Sequence, residues 1–155
     1  MEKESKIVVP SKDEIVRIHN YLVGAHGGIM GIRQDPSYVS EFCKHYLAET
    51  GIVPVVGFML SRLSKGHYFT DGNKRTAYFT GRYTALKNRY DFDGTSPDEF
   101  VSEMDEIVKL DDDKSRKYAE ELVERDLLQT NFSLEDYFDF ERLVLKSIAV
   151  SNKLA

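Results

Sequence analysis

A chain of 155 residues fits one domain of ordinary size, able to bury about 70% of its unfolded surface. Its 21 Lys+Arg against 26 Asp+Glu give a formal net charge of −5, the wrong sign for a general polyanion binder, so DNA is not an expected partner. The 41% hydrophobic content belongs to a folded protein, while the longest nearly apolar run, Ile52 to Leu60, is only nine residues and excludes a membrane span of its own.

Ser11 and Glu14 form a capping-box pattern, followed by Ile15, Ile18, Leu22 and Val23 at helical spacing, so a first helix is predicted to close near Gly24. Asp35-Pro36 opens a second, with Tyr38, Val39, Phe42, Cys43, Tyr46 and Leu47 on one face and Gly51 as its stop. A third starts near Pro54 and runs through Val55, Val56, Met59, Leu60 and Leu63 to Gly66. A long helix is predicted from Asn73 to Arg89. Its small residues Ala77, Gly81 and Ala85 let a neighbour approach closely, and Phe79, Tyr83 and Leu86 add a second apolar stripe. Apolar character on two sides marks a central helix. Ser96-Pro97-Asp98-Glu99 repeats the capping logic, with Phe100, Met104, Ile107 and Val108 as the buried face. Beyond Asp111-Asp112-Asp113 two more helices are predicted. One contains Tyr118, Leu122 and Leu127; the other starts at Ser133 and contains Tyr137, Phe140, Leu143, Val144 and Ile148. Strand signals are confined to Ile7-Val8-Val9 and Tyr90-Asp91-Phe92. The expected fold class is all-α or nearly so.

One stretch breaks the helical rhythm: His67-Tyr68-Phe69-Thr70-Asp71-Gly72-Asn73-Lys74-Arg75-Thr76. His67 can accept a proton near neutral pH without perturbation. Asp71 is a hard oxygen ligand suited to Mg²⁺, which keeps waters and substrate phosphates in its shell. Gly72 and Asn73 fall where the next helix begins, so free backbone N–H groups point into the loop and can hold phosphate. Lys74 and Arg75 place two cations in the first turn, where the helix dipole disfavours them. Base, metal ligand, anion nest and cations together suggest phosphoryl or nucleotidyl transfer. The other histidines read more blandly: His19 and His45 as structural or exposed helix residues, and His26 as turn chemistry or cleft lining.

The run resembles the signature of the Fic/Doc (Fido) family, His-x-Phe-x-Asp/Glu-Gly/Ala-Asn-x-Arg, matched by His67, Phe69, Asp71, Gly72, Asn73 and Arg75. His26-Gly27-Gly28-Ile29-Met30-Gly31-Ile32 resembles the glycine-rich segment ahead of the motif in Doc-type members. Similarity covers residues 10 to 111. The resemblance implies a compact helical catalytic domain over residues 1–111. Residues 112–155 are then a C-terminal helical extension, packed on the same domain or at a homodimer interface. It implies His67 as general base, Phe69 as loop anchor, and Asp71 holding Mg²⁺ against nucleotide phosphates. Gly72 and Asn73 become the anion hole, Arg75 a phosphate grip, and Gly28 to Gln34 a flap that aligns a target chain by strand pairing.

Asn73-Lys74-Arg75-Thr76-Ala77 matches the Doc-type reading. Adenylylating Fic members usually have glycine where Lys74 stands and a second arginine where Tyr78 stands, whereas Doc has alanine at the place of Gly72. In Doc the nucleotide lies reversed, so the γ-phosphate moves. The implied protein is a transferase dependent on Mg²⁺ and ATP, or another nucleoside triphosphate, that phosphorylates a Ser, Thr or Tyr hydroxyl of a target protein as the toxin of a toxin–antitoxin pair. Adenylyl transfer on the same fold and a non-catalytic member that binds nucleotide or a partner are the alternatives. The chain has no Glu-Gly or Glu-Asn pair, so it lacks the Ser/Thr-x-x-x-Glu-Gly/Asn self-inhibitory helix of some Fic proteins, and a separate antitoxin is expected. A lone Cys43 and a charged start with no long apolar segment make a reduced cytoplasm the expected location.

Overall fold

The computed structural model describes residues 6–130. Helix α1 (Lys12–His26) begins in a capping box: the Glu14 N–H donates to Ser11 Oγ at 3.2 Å, and the Ser11 N–H donates to the Glu14 carboxylate at 3.1 Å. It runs past the predicted stop at Gly24 and closes two residues later, where Gly27 turns away with φ +80°. Asp35 turns the chain into α2 (Ser37–Phe42) by accepting from both the N–H and the hydroxyl of Ser37, at 2.9 and 2.6 Å.

Helix α2 passes directly into a π turn, Cys43–Leu47, closed by the Ala48 N–H on the Cys43 carbonyl at 2.8 Å. A π turn holds more residues per turn than an α-helix. It therefore brings Leu47 back into line with Val39 and Cys43 in the core and swings Tyr46 outward. Tyr38 and Tyr46, expected on the buried face, are exposed. Cys43 is buried, and burial pushes its thiol up to about 12.

Helix α3 (Ile52–Lys65) tolerates Pro54 in its first turn, where the missing N–H has no helical partner to lose. It is sandwiched between α4 (Asn73–Lys87) and α6 (Asp112–Asp126). The small-residue stripe of α4 serves the first contact. A Cβ added at Gly81 would lie 3.1 Å from Val56 Cγ1 and 3.2 Å from Leu60 Cδ2. Gly57 serves the second: a Cβ there would lie 3.3 Å from the Glu120 backbone. Helix α4 is buried along most of its length, as its two apolar stripes require.

After α4 the chain turns at Arg89, φ +66°, into strand β1 (Tyr90–Phe92). Ser96 then caps α5 (Pro97–Glu103), which passes into a 3₁₀ turn, Met104–Lys109. That tighter winding keeps Met104 and Ile107 in the core but leaves Val108, expected to be buried, exposed. Asp111 caps α6 by accepting from the Lys114 N–H at 2.9 Å. The helix ends at Asp126, and Leu127, expected inside it, opens strand β2 (Leu127–Gln129). This strand is antiparallel to β1, with Tyr90 opposite Gln129 and Phe92 opposite Leu127. The predicted strand at Ile7-Val8-Val9 does not form. Its backbone bonds go instead to the Ala48 carbonyl and the Asn88 side chain.

Apart from the short β1–β2 ribbon, the described fold is helical. Ala119, Leu122 and Val123 of α6 are buried in the same core as α1, α3 and α4. The helix predicted from Ser133, with its stripe of Tyr137, Phe140, Leu143, Val144 and Ile148, lies outside the described residues. None of the described helices is long and apolar enough to cross a membrane.

Candidate functional site

The loop between α3 and α4 is held from three sides. From below, Phe69 is buried and its ring stacks on His19 of α1, with centroids 3.9 Å apart and planes 7° from parallel. From ahead, the Asn73 side chain brackets the Phe69 backbone. Its Oδ1 accepts from the Phe69 N–H at 3.0 Å, and its Nδ2–H donates to the Phe69 carbonyl at 2.9 Å. From the side, Ile32 forms an antiparallel bridge with Phe69. The Thr70 N–H donates to the Gly31 carbonyl at 3.1 Å, and the Arg33 N–H to the Tyr68 carbonyl at 2.7 Å. The glycine-rich segment is thus paired to the loop, while its side chains Ile29, Met30 and Ile32 are exposed.

Within this frame His67 is exposed at φ +50°, a left-handed conformation that disfavours a non-glycine residue by about 1 kcal/mol. Asp71 is exposed, and its carboxylate accepts from the Gly72 N–H at 2.8 Å and the Ile29 N–H at 3.4 Å. Gly28 adopts φ +125°, a backbone that favours glycine, and a Cβ there would press on Asp71 Oδ2 at 3.0 Å. The Asp71 carbonyl accepts from Nε2–H of His19 at 2.9 Å.

Gly72 adopts φ +75°, and the first bond of α4 runs from the Thr76 N–H to the Gly72 carbonyl. No side chain caps α4, so its leading N–H groups are offered to whatever lies ahead of them. What lies there is a cavity of about 200 Å³, lined by Leu22, Val23, His26 and Gly27 at the end of α1 and by Asp71, Gly72, Arg75 and Thr76. Thr76 Oγ1 is buried with no hydrogen-bond partner. Burial pushes the His26 pKa down, and the nearby Arg75 charge adds to that, against a weaker pull from Asp98.

Asp71, Gly72 and Arg75 therefore meet around one cavity. The other motif residues stand elsewhere. The Asn73 side chain is spent on Phe69, leaving only its backbone N–H for an anion. Lys74 pairs with Asp105 of the 3₁₀ turn and does not line the cavity; this pairing holds the Asp105 carboxyl below the usual range. His67 lies on the same loop but also outside the cavity lining.

His19 is the residue that the sequence left undistinguished. It sits 52 positions before Asp71 inside an ordinary helical pattern, and no local signal marks it. Among the described residues no three His, Cys, Asp or Glu side chains gather to hold a metal. A single accessible carboxylate fits Mg²⁺ delivered with a nucleotide, because that ion takes one or two carboxylates plus phosphates and waters.

A larger cavity, about 600 Å³, lies along Asp91–Ser96 and Leu128–Thr130. Its buried cation, Arg82, is already bound to Asp91 at 2.8 Å, and it contains no motif residue. The smaller cavity is the one that gathers motif residues. No protein-family model matches this chain, and no curated protein matches it.

Proposed function

We propose that this protein is a Mg²⁺- and nucleotide-dependent transferase that moves the γ-phosphate of ATP, or of another nucleoside triphosphate, onto a Ser, Thr or Tyr hydroxyl of a target protein. The observation that carries this reading is the shared cavity. A carboxylate, an uncapped helix start and the Arg75 guanidinium converge there, beside a loop that also bears a strained, exposed histidine. Cations and helix N–H groups bind phosphate oxygens, and Arg75 can do so with two parallel bonds. Mg²⁺ held by Asp71 would offset charge on the phosphates.

In the transfer the hydroxyl oxygen bonds to the γ-phosphorus as the bond to the β–γ bridging oxygen breaks. The hydroxyl proton passes to the His67 imidazole, and the nucleoside diphosphate leaves. The edge formed by Ile29, Met30 and Ile32 would seat the target chain by strand addition, with apolar side chains flanking the accepting hydroxyl. The Fic/Doc resemblance supports the same assignments residue by residue. It also supports the role of a toxin acting in the cytoplasm under a separate antitoxin.

One observation favours a second reading. Lys74, the residue that most separates the Doc-type motif from the adenylylating one, is turned toward Asp105. The cavity then lacks the cation that would reverse the nucleotide, an arrangement that suits AMP transfer on the same residues. ATP labelled at the α or the γ position, incubated with wild type or His67→Ala and a cell extract, separates the readings. The expected result is γ label on protein, abolished by the substitution. Label from the α position alone establishes adenylylation, and no His67-dependent label from either position overturns transfer altogether.

A further inference from the structure

We infer that His19 is a positioning residue that sets the orientation of the Asp71 carboxylate; its consequence for catalysis rests on the transferase reading above. The His19 ring is fully buried in α1, and its Nε2 lies 2.9 Å from the Asp71 carbonyl oxygen. A carbonyl only accepts, so Nε2 carries the proton. Nδ1 lies 3.3 Å from Asn20 Oδ1; with Nδ1 as an acceptor, the Asn20 amide is turned the other way to present its NH₂.

The peptide plane that receives this bond is the one joining Asp71 to Gly72. Its carbonyl end is tied to His19, and its N–H end donates to the Asp71 carboxylate at 2.8 Å. Three groups are therefore in series: imidazole N–H to carbonyl, peptide N–H to carboxylate. Donation into the carbonyl polarises the peptide and strengthens the bond at its other end. Rotating that plane would turn the carboxylate and disturb the left-handed Gly72 that heads α4. His19 thus fixes two of the elements that face the cavity while lining none of it.

Two properties of the side chain are needed together. The flat ring stacks on Phe69, and the donor sits at the ring edge. Phenylalanine supplies the ring without the donor. Glutamine supplies a donor at about the reach of Nε2 without the ring.

The experiment compares wild type, His19→Phe and His19→Gln in the full chain. Amide exchange at Gly72 is followed without ligand, and MgCl₂ is titrated at fixed ATP by calorimetry. Steady-state transfer then gives kcat and KM separately. His19→Phe should remain folded but lose Gly72 protection. Its apparent Mg²⁺ affinity and kcat should fall about 10- to 100-fold, the usual effect of removing a group that orients a metal ligand, with KM for the target little changed. His19→Gln should recover most of both. Gly72 protection and Mg²⁺ dependence in His19→Phe equal to wild type would overturn the inference, as would a folded His19→Gln no better than His19→Phe. If His19→Phe does not fold, His19→Gln decides alone: near-wild-type Gly72 exchange supports the donor role, and lost protection overturns it. Absence of Mg²⁺–ATP binding in wild type would sink the transferase reading, while the Gly72 exchange would still decide what His19 does.

Discussion

The N-termini of α1, α5 and α6 differ from that of α4 in cap, backbone and charge. Ser11, Ser96 and Asp111 each accept a hydrogen bond from an N–H of the first turn, in extended backbone. Each is followed by acidic residues: Asp13 and Glu14, Asp98 and Glu99, Asp112 and Asp113. All of this suits the positive end of a helix dipole. Helix α4 has a left-handed glycine instead of a capping side chain, no acid in its first turn, and Lys74 and Arg75 where the others carry carboxylates. Helix α3 also starts uncapped, at Gly51 with φ +125° and no acid in its first turn, so what sets α4 apart is the pair of cations at a start that opens on a cavity.

This contrast is tested most severely at His67. Glycine there removes the proposed base and also the strain of φ +50°. His67→Gly should therefore lose about 10²- to 10⁴-fold in transfer, the range of a general base, yet melt no lower than wild type. A variant that melts lower and still transfers phosphate would make His67 an ordinary packing residue. Phe69→Ala should do the reverse. With its ring 1% exposed, truncation is expected to cost about 3–5 kcal/mol in denaturant unfolding. An unchanged midpoint would mean that the loop is held by its backbone bonds alone.

The caps are legible from the sequence because a cap is decided within four residues. Ser11, Ser96 and Asp111 stand out that way, and so does the special character of the His67–Arg75 run. Features decided by distant partners do not. Ordinary helical spacing puts Tyr46 on the buried face; the π turn at Cys43–Leu47 changes the phase. Leu127 continues the apolar spacing of α6, but its backbone pairs with Phe92. The motif's composition gives no hint that Lys74 chooses Asp105 or that Asn73 spends its amide on Phe69. His19 becomes visible only when α1 and the loop are seen in contact.

The two kinds of helix start should also differ in what a small substitution does. Ser96→Ala removes a cap and should lower stability by about 1 kcal/mol, read from the urea midpoint. At Gly72 a Cβ meets nothing within 4 Å, so the cost of Gly72→Ala is the left-handed backbone alone, again about 1 kcal/mol. The informative readout is transfer. It should survive both changes, because the Gly72→Ala variant keeps the N–H groups of α4 in place. Loss of transfer in Gly72→Ala at unchanged fold would show that the cavity needs the bare glycine surface.

The weakest effect concerns the carboxylate of the α1 capping box. Burial pushes the Glu14 carboxyl up, but the Tyr83 hydroxyl, the Ser11 N–H and Lys87 together pull it further down, so in the folded state it lies below its ordinary value. As pH falls, the unfolded chain therefore binds this proton first. The stabilisation is complete above the ordinary carboxylate range and drains away as pH drops through the folded value. Glu14→Gln keeps an acceptor for the Ser11 N–H but cannot titrate. The stability difference between wild type and Glu14→Gln should be constant at neutral pH and shrink on the acid side. The two proteins share His26, whose lowered pKa makes the fold less stable as pH falls through the histidine range, so that slope cancels in the comparison. A difference that stayed constant from neutral pH to well below the carboxylate range would show that Glu14 supports α1 through its shape and not through its charge.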